Sequence, residues 1–355
     1  MSTILSHDAL FRNSSQLCQT DKRADMSDKP KLAMYWAASC GGCEISLLNL
    51  HEKILAVDAA FDFMFCPCLI DTKKKDIEAM PDKSIAVTLF NGAIRTEENA
   101  EMAHLLRRKS QVLIAFGSCA HEGCIPGLAN LHSRQDILKT VYLDNPTIDN
   151  PDNTIPASST EVPEGTLTIP GFFDRVKTLS QVTQVDYIIP GCPPESHQVW
   201  AVVEAVVSGA QLPPLGSVIG AGCLSVCDEC KRVKGDKMIT SFHRTWEIIP
   251  EPEKCLLEQG LLCMGIATRD GCGAPCPEAN MPCTGCYGPP EGISDQGAKM
   301  VAALGAILDI GNSKGKSEEE IAARVESLLD AIPDYVGTFY KYSLPGSIIG
   351  GRAIK

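Results

Sequence analysis

Residues 31–48 read K-L-A-M-Y-W-A-A-S-C-G-G-C-E-I-S-L-L, and this stretch decides the fold. Residues 32–37 form a short apolar run without polar alternation, as expected of a strand buried on both faces. Residues 44–56 place Ile45, Leu48 and Leu55 on one side of a helix. Between them, Cys40-Gly41-Gly42-Cys43 turns the chain, with two glycines free to wrap the backbone around a pair of thiols. The same rhythm continues outward. Further buried strands are expected at 61–65, 85–90, 112–116 and 185–189, with helices at 97–109 and 195–208. Strands alternating with helices predict an α/β fold with a doubly wound parallel sheet. The strand 112–116 runs into Cys119 and the strand 185–189 into Cys192. Ligands of open α/β sheets gather beyond the carboxyl ends of the strands, so Cys40, Cys43, Cys119 and Cys192 are expected to form one site.

The whole chain has 355 residues, 44% of them hydrophobic, which is enough for about two domains and a sizeable core. A net charge of −12 argues against a nucleic-acid or anionic-membrane surface, since both call for a basic face. No apolar run is long enough to span a bilayer, and the N-terminus shows neither a secretory apolar region nor a twin-arginine signal. Arg107-Arg108 lies deep in the chain. These features predict a cytoplasmic protein, and in that reducing compartment 17 cysteines point to metal rather than disulfides. Residues 1–30 read as a polar, flexible extension or a strap across a partner, and residues 31–212 as the α/β domain. Residues 143–171 read as a surface excursion after which the fold resumes at Phe172. Leu212-Pro-Pro-Leu marks the boundary to a loop-rich second domain, 213–355. A helical period returns over 295–329, interrupted at 311–315, and the tail reads as irregular.

Twelve of the cysteines sort into three sets of four. The first is the dispersed set above. The second is Cys227, Cys230, Cys255 and Cys263, and the third is Cys272, Cys276, Cys283 and Cys286. Backbone amides of Gly41 and Gly42 can donate to cluster sulfides and tune a potential, and Cys276 precedes a proline, a step shared with ferredoxin-type sites. Tetrahedral zinc uses the same C-x2-C spacing and the same four thiolates. Three all-cysteine sets in one chain favour iron–sulfur centres in series over repeated structural zinc. The other cysteines, Cys18, Cys66, Cys68, Cys124 and Cys223, read as small buried hydrophobes. Cys223 competes with Cys227 as a ligand, and Cys124 is expected near the first set without binding in it. Glu44 stands at a helix start, where its charge is favourable. His121 and His197 lie near ligands in sequence without reading as ligands. The acidic run 318–320 reads as a solvated helix face or helix start.

Cys40, Cys43, Cys119 and Cys192 resemble the proximal-cluster motif of the small subunits of [NiFe] hydrogenases, a fold and site related to one subunit of respiratory complex I. The likeness continues in Cys227-x2-Cys230-x24-Cys255 with Cys263, which resemble the distal-cluster ligands, and in Cys272, Cys283 and Cys286, which resemble the medial ones. That spacing favours Cys227 over Cys223. The runs A-M-Y-W-A-A-S-C-G-G-C-E-I-S-L-L and A-F-G-S-C-A-H-E-G-C-I-P-G-L-A-N are most similar to the cytoplasmic methyl-viologen-reducing type, the factor-420-non-reducing hydrogenase associated with heterodisulfide reductase. The chain departs from periplasmic small subunits in having Cys227 where many have histidine, in lacking the twin-arginine leader, and in offering Cys276 as an extra medial ligand.

The resemblance implies a flavodoxin-like domain with a proximal [4Fe-4S] cluster, followed by a C-terminal domain with medial and distal [4Fe-4S] clusters. It implies a partner large subunit holding the Ni–Fe centre, and an iron–sulfur or flavin acceptor such as a heterodisulfide reductase complex. It also makes Glu44 a proton-relay candidate. A complex-I-like subunit coupled to quinone is one alternative, although it would need only the first cluster and commonly shows adjacent cysteines there. A zinc-structured interaction protein is the other.

Overall fold

The computed structural model describes residues 29–235, 238–311 and 316–350. The expectation for residues 1–30 falls almost wholly outside them. Strands are β1 (Lys31–Trp36), β2 (Asp62–Phe65), β3 (Ile85–Asn91), β4 (Ile94–Thr96), β5 (Ser110–Phe116), β6 (Ser159–Val162), β7 (Gly165–Thr168), β8 (Phe172–Lys177) and β9 (Tyr187–Ile189). Five of them make an all-parallel sheet in the order β2-β1-β3-β5-β9. Counting only its own members, that is the flavodoxin-like order 2-1-3-4-5, with a switch point between β1 and β3. There Trp36 pairs with Asn91, so the chain leaves β1 toward Cys40 at the place where open sheets collect ligands.

Alternate side chains of β1 serve the two faces. Ala33 and Tyr35 pack with Phe90, Met102, Leu106 and Leu113. Leu32 and Met34 pack with Leu47, Val57, Ile114, Phe116 and Val199. Each such buried side chain contributes roughly 1.5–3 kcal/mol, which explains why all five core strands were readable from apolar runs. The helix Glu97–Lys109 covers the first face. It begins where the Asn99 amide donates to Thr96 Oγ1 at 3.3 Å.

The helix expected over 44–56 is broken into Gly42–Leu48, a short turn at His51–Lys53, and Ile54–Ala60. His51 at φ 53 interrupts it. The buried positions are Cys43, Glu44, Ser46, Leu47, Leu50 and Val57, whereas Ile45, Leu48 and Leu55 are 58%, 47% and 69% exposed. The expected apolar side therefore faces outward rather than into the core. The excursion 143–171 carries the exposed hairpin β6–β7, and β8 begins at Phe172 and pairs with β4.

After β9 and the helix Ser196–Val207, the chain rejoins the sheet through a bridge of Val218 to Ile188 and a hydrogen bond from Tyr187 Oη to the Pro213 carbonyl at 3.1 Å. Beyond it, regular elements are short. A separate core gathers Val226, Met264, Met300, Leu304, Leu328 and Phe339. Its helices are Gln296–Ile307, started by Asp295, and Glu318–Leu329, started by a reciprocal Ser317–Glu320 box that makes the acidic run a helix start. The tail is more ordered than expected. Asp334 starts the helix Tyr335–Phe339, and Leu344–Gly346 returns to the first part of the chain, where the Cys124 amide donates to the Tyr342 carbonyl and Gln181 Nε2 to that of Pro345. Among the described residues, no helix is long and apolar enough to cross a membrane.

Candidate metal centres

Three strand ends bring the dispersed cysteines together. β1 leads to Cys40, β5 through Gly117 to Cys119, and β9 through Gly191 to Cys192. The loops are stitched by the Gly117 amide to the Ile189 carbonyl and the Ser118 amide to the Gly191 carbonyl, both 2.8 Å. Two glycines are needed here. Gly41 sits at φ 82 under the Trp36 ring, and a Cβ on Gly117 would lie 2.3 Å from Cys43 Sγ. The Gly42 amide donates to Cys40 Sγ at 3.4 Å. Burial drives the Cys43 thiol far above its usual pKa, and the charges of Cys119, Glu44, Cys192 and Cys40 push the same way.

Glu44, one residue on, is buried, and Asn91 Nδ2 donates to both its oxygens at 2.9 and 2.7 Å. Burial raises its pKa despite those bonds. Cys124 lies beside this set, as its sequence position suggested. Its Sγ lies 3.6 Å from Cys192 Sγ, and that contact draws Cys192 down to about 7. Cys124 is wholly buried and held at φ 47, an uncommon backbone state outside glycine. His121 is pushed down to about 4 by burial and then by Arg269, and His197 Nε2 lies 3.1 Å from the Gly271 carbonyl.

Cys227, Cys230, Cys255 and Cys263 line one cavity, with Arg232, Lys234 and Gly265. A Cβ on Gly265 would touch Cys227 Sγ at 3.4 Å and Cys263 Sγ at 3.6 Å. The Cys227 thiol is pushed up to about 12 by burial and by its three sulfur neighbours, against Lys234. Cys223 is exposed, and its carbonyl accepts from the Glu291 amide at 3.1 Å.

In the third set, the Cys286 thiol feels the charge of Cys276, and Cys272 and Cys283 each feel that of Cys286. Burial comes first in raising Cys272 and Cys286 to about 12. Two residues that sequence reasoning missed hold these loops. Glu229 accepts from the amides of Gly271, Gly273 and Ala274 at 3.0–3.2 Å and from the Cys272 thiol at 3.3 Å. Arg232, nine-tenths buried, donates to the carbonyls of Pro277, Glu251 and Lys254 and to Asn280 Oδ1. Only an acid and a base beside Cys230 signalled them.

The sets adjoin in order. The Ser118 hydroxyl, next to Cys119, donates to the Cys286 carbonyl, linking the first to the third, and the Cys283 amide donates to Cys263 Sγ at 3.3 Å, linking the third to the second. All sixteen described cysteines are unpaired thiols. Among the described residues, no three His, Cys, Asp or Glu side chains converge on a single ion. All-thiol donor sets, amides aimed at sulfur, and glycines where a Cβ would meet sulfur fit iron–sulfur clusters.

Residues 40–206 match the family described as NADH ubiquinone oxidoreductase, 20 Kd subunit. The iron-sulfur subunit of the F420-non-reducing hydrogenase of Archaeoglobus profundus is 40% identical over 92% of this chain and 99% of its own. An F420-non-reducing hydrogenase subunit of Methanothermobacter marburgensis is 36% identical over 91% and 97%. A chain of the NAD+-reducing [NiFe]-hydrogenase in the H2-reduced state is 26% identical with a TM-score of 0.45, covering 52% of this chain and 96% of that one, a likeness too slight to argue from.

Proposed function

Because the chain belongs to the family of F420-non-reducing hydrogenase iron-sulfur subunits, within the small subunits of [NiFe] hydrogenases, we propose that it is the electron-transferring subunit of such an enzyme in the cytoplasm. Cys40, Cys43, Cys119 and Cys192 would hold a proximal [4Fe-4S] cluster, Cys272, Cys276, Cys283 and Cys286 a medial one, and Cys227, Cys230, Cys255 and Cys263 a distal one. When bound, the clusters supply one-electron carriers between H2 oxidation at a Ni–Fe centre on the large subunit and an iron–sulfur or flavin acceptor, such as a heterodisulfide reductase complex. Residues 31–212 carry the proximal set in this reading and residues 213–355 the other two.

The single observation that carries the reading is that the three cysteine sets adjoin, the first meeting the third at Ser118–Cys286 and the third meeting the second at Cys283–Cys263. The chain's own contribution is to keep these thiols within reach of one another, with amides at Gly42 and Cys283 offsetting charge on sulfur. Trp36, Ile45 and Leu48, close in sequence to exposed Cys40, are exposed apolar side chains suited to burial by the large subunit. Glu44, buried next to Cys43 with its pKa raised by burial, is the candidate proton-passing group at that end. The quinone-coupled alternative leaves eight cysteines without a role, because the matched family model ends at residue 206.

Iron and acid-labile sulfide analysis of the purified complex tests the reading. About twelve irons with matching sulfide on this subunit are expected from three four-iron clusters. Stoichiometric zinc without sulfide would overturn it.

A further inference from the structure

Cys66-Pro67-Cys68 stands apart from the twelve thiols above. It follows β2, the edge strand of the sheet, at the same carboxyl end as Cys40. Cys66 is 1% exposed in the core behind Cys43, while Cys68 is exposed. A cysteine that merely fills core has no reason to meet a second sulfur, yet Cys66 Sγ and Cys68 Sγ lie 3.3 Å apart. The turn that produces this is fixed. The Cys66 carbonyl accepts from the amides of both Leu69 and Ile70 at 2.9 Å, and Pro67 restricts the backbone between the thiols.

We propose that Cys66 and Cys68 form a redox-active dithiol, oxidised to an intramolecular disulfide by a small-molecule disulfide that reaches Cys68 from solvent. Exposure divides the labour, since thiol–disulfide exchange requires access by the attacking sulfur. Cys68, as thiolate, attacks one sulfur of R–S–S–R, forming a Cys68–S–S–R bond and releasing RS⁻. The Cys66 thiol then gives its proton to water and its sulfur attacks Cys68 Sγ. The Cys66–Cys68 bond forms, the Cys68–SR bond breaks, and the second RS⁻ leaves. Two electrons pass from the dithiol to the small disulfide and both thiol protons are lost.

Burial, then the neighbouring Cys68, holds the Cys66 thiol up at about 12, so the second step is the slower one and the mixed disulfide on Cys68 is its precursor. Cys66 and Cys43 belong to the same buried core cluster, which places this couple beside the first cysteine set.

The test uses the intact complex under anaerobic conditions, treated with 2-hydroxyethyl disulfide, quenched by alkylation and mapped by mass spectrometry of the peptide holding both residues. In the wild type, both thiols should become unavailable together. The peptide should be lighter by two hydrogens without an adduct, and dithiothreitol should restore it. Cys66→Ser should leave a stable mercaptoethanol adduct on Cys68, and Cys68→Ser should leave Cys66 unmodified until the chain is denatured. A wild-type peptide that stays reduced, or that accumulates the adduct without closing the bond, would overturn the proposal. So would direct adduct formation on Cys66 in the Cys68→Ser variant.

Discussion

Gly117→Ala should eject one sulfur from the first cysteine set while leaving the rest of the molecule folded. Gly117 lies at φ 83, ψ 163, a region occupied almost only by glycine, and forcing alanine there costs of order 1–3 kcal/mol. The added Cβ would lie 2.3 Å from Cys43 Sγ, so the sulfur would have to withdraw by about 1.2 Å to reach an ordinary ~3.5 Å contact. It cannot do so freely, because Cys43 is buried. Overpacking at such a site adds roughly 1–3 kcal/mol. The sum, ~2–6 kcal/mol, lies for most of its range below the ~5–15 kcal/mol that typically separates a native domain from its unfolded chain. The expected loss is therefore local. The assay is electron paramagnetic resonance of the reduced complex alongside H2-dependent dye reduction. The proximal signal and dye reduction should fall together, with medial and distal signals retained as internal proof of folding. Gly42→Ala is the control. Its Cβ would lie 3.4 Å from Cys40 Sγ and 3.8 Å from Pro193 Cβ, with no positive φ to oppose it, and it should keep both readouts. A Gly117→Ala complex with an undiminished proximal signal and full dye reduction would refute the reasoning.

Cys276→Ala should convert the medial centre to a three-iron cluster of higher potential, because Cys276 is the exposed member of its set and the other three sulfurs remain. A three-iron signal already stoichiometric in the mildly oxidised wild type would exclude Cys276 as a ligand. Glu122 is buried, with Oε2 lacking a hydrogen-bond partner, and burial together with Asp295 raises its pKa to about 8 against the pull of Arg269. Its folded pKa exceeds its unfolded one. The stability it contributes is therefore fully present below about pH 4.5 and lost as pH rises through about 8, with an upper bound of roughly 4–5 kcal/mol. Glu122→Gln should flatten the fall in thermal midpoint across that window, and an unchanged pH profile would count against this account. Stripping iron with a chelator should expose sites after residue 213 to limited proteolysis before the sheet is cut, since short loops there carry eight of the twelve thiols. Simultaneous loss of both parts would show that the sheet depends on the clusters as well.

Much of this architecture was legible in sequence because local chemistry and global packing agree. The five core strands are unbroken apolar runs, and the helix Glu97–Lys109 begins and ends where Thr96 and the basic last turn say it should. The cysteine spacing suggested the three sets proposed above. What escaped was set by distant partners. Ile45, Leu48 and Leu55 have helical spacing, yet the direction in which that stripe points is decided by Cys43 and Leu47, which must face the sheet. The tail looked irregular because its order comes from contacts with Cys124 and Gln181, more than 150 residues away. Glu229 and Arg232 look like ordinary surface charges until the loops they hold are known. The sulfur contact in Cys66-Pro67-Cys68 depends on a turn that apolar periodicity does not describe.

The two ways of holding thiols explain how three sets keep a fixed order. The first set hangs on three strands whose register is locked by the sheet, so its geometry follows from backbone pairing. The second and third have no sheet beneath them, and each borrows anchors from the other. Glu229, beside Cys230, gathers the amides around Cys272, while Arg232, two residues after Cys230, ties the loop before Cys255 to the turn carrying Cys276. Hydrogen bonds to charged groups contribute ~1.5–3 kcal/mol each, more than neutral ones, so these are costly to break. The link back to the sheet comes from the Ser118 hydroxyl, which donates to the Cys286 carbonyl one residue before Cys119. In the proposed electron path, transfer falls steeply with distance, and the gaps that matter are those between successive sets. Each gap is spanned by residues adjacent to the ligands themselves, so the spacing does not rely on how two larger bodies happen to be oriented. A chain with short helices and many loops after residue 213 can thus hold the proposed carriers in place, because its anchoring hydrogen bonds sit at the junctions between sets.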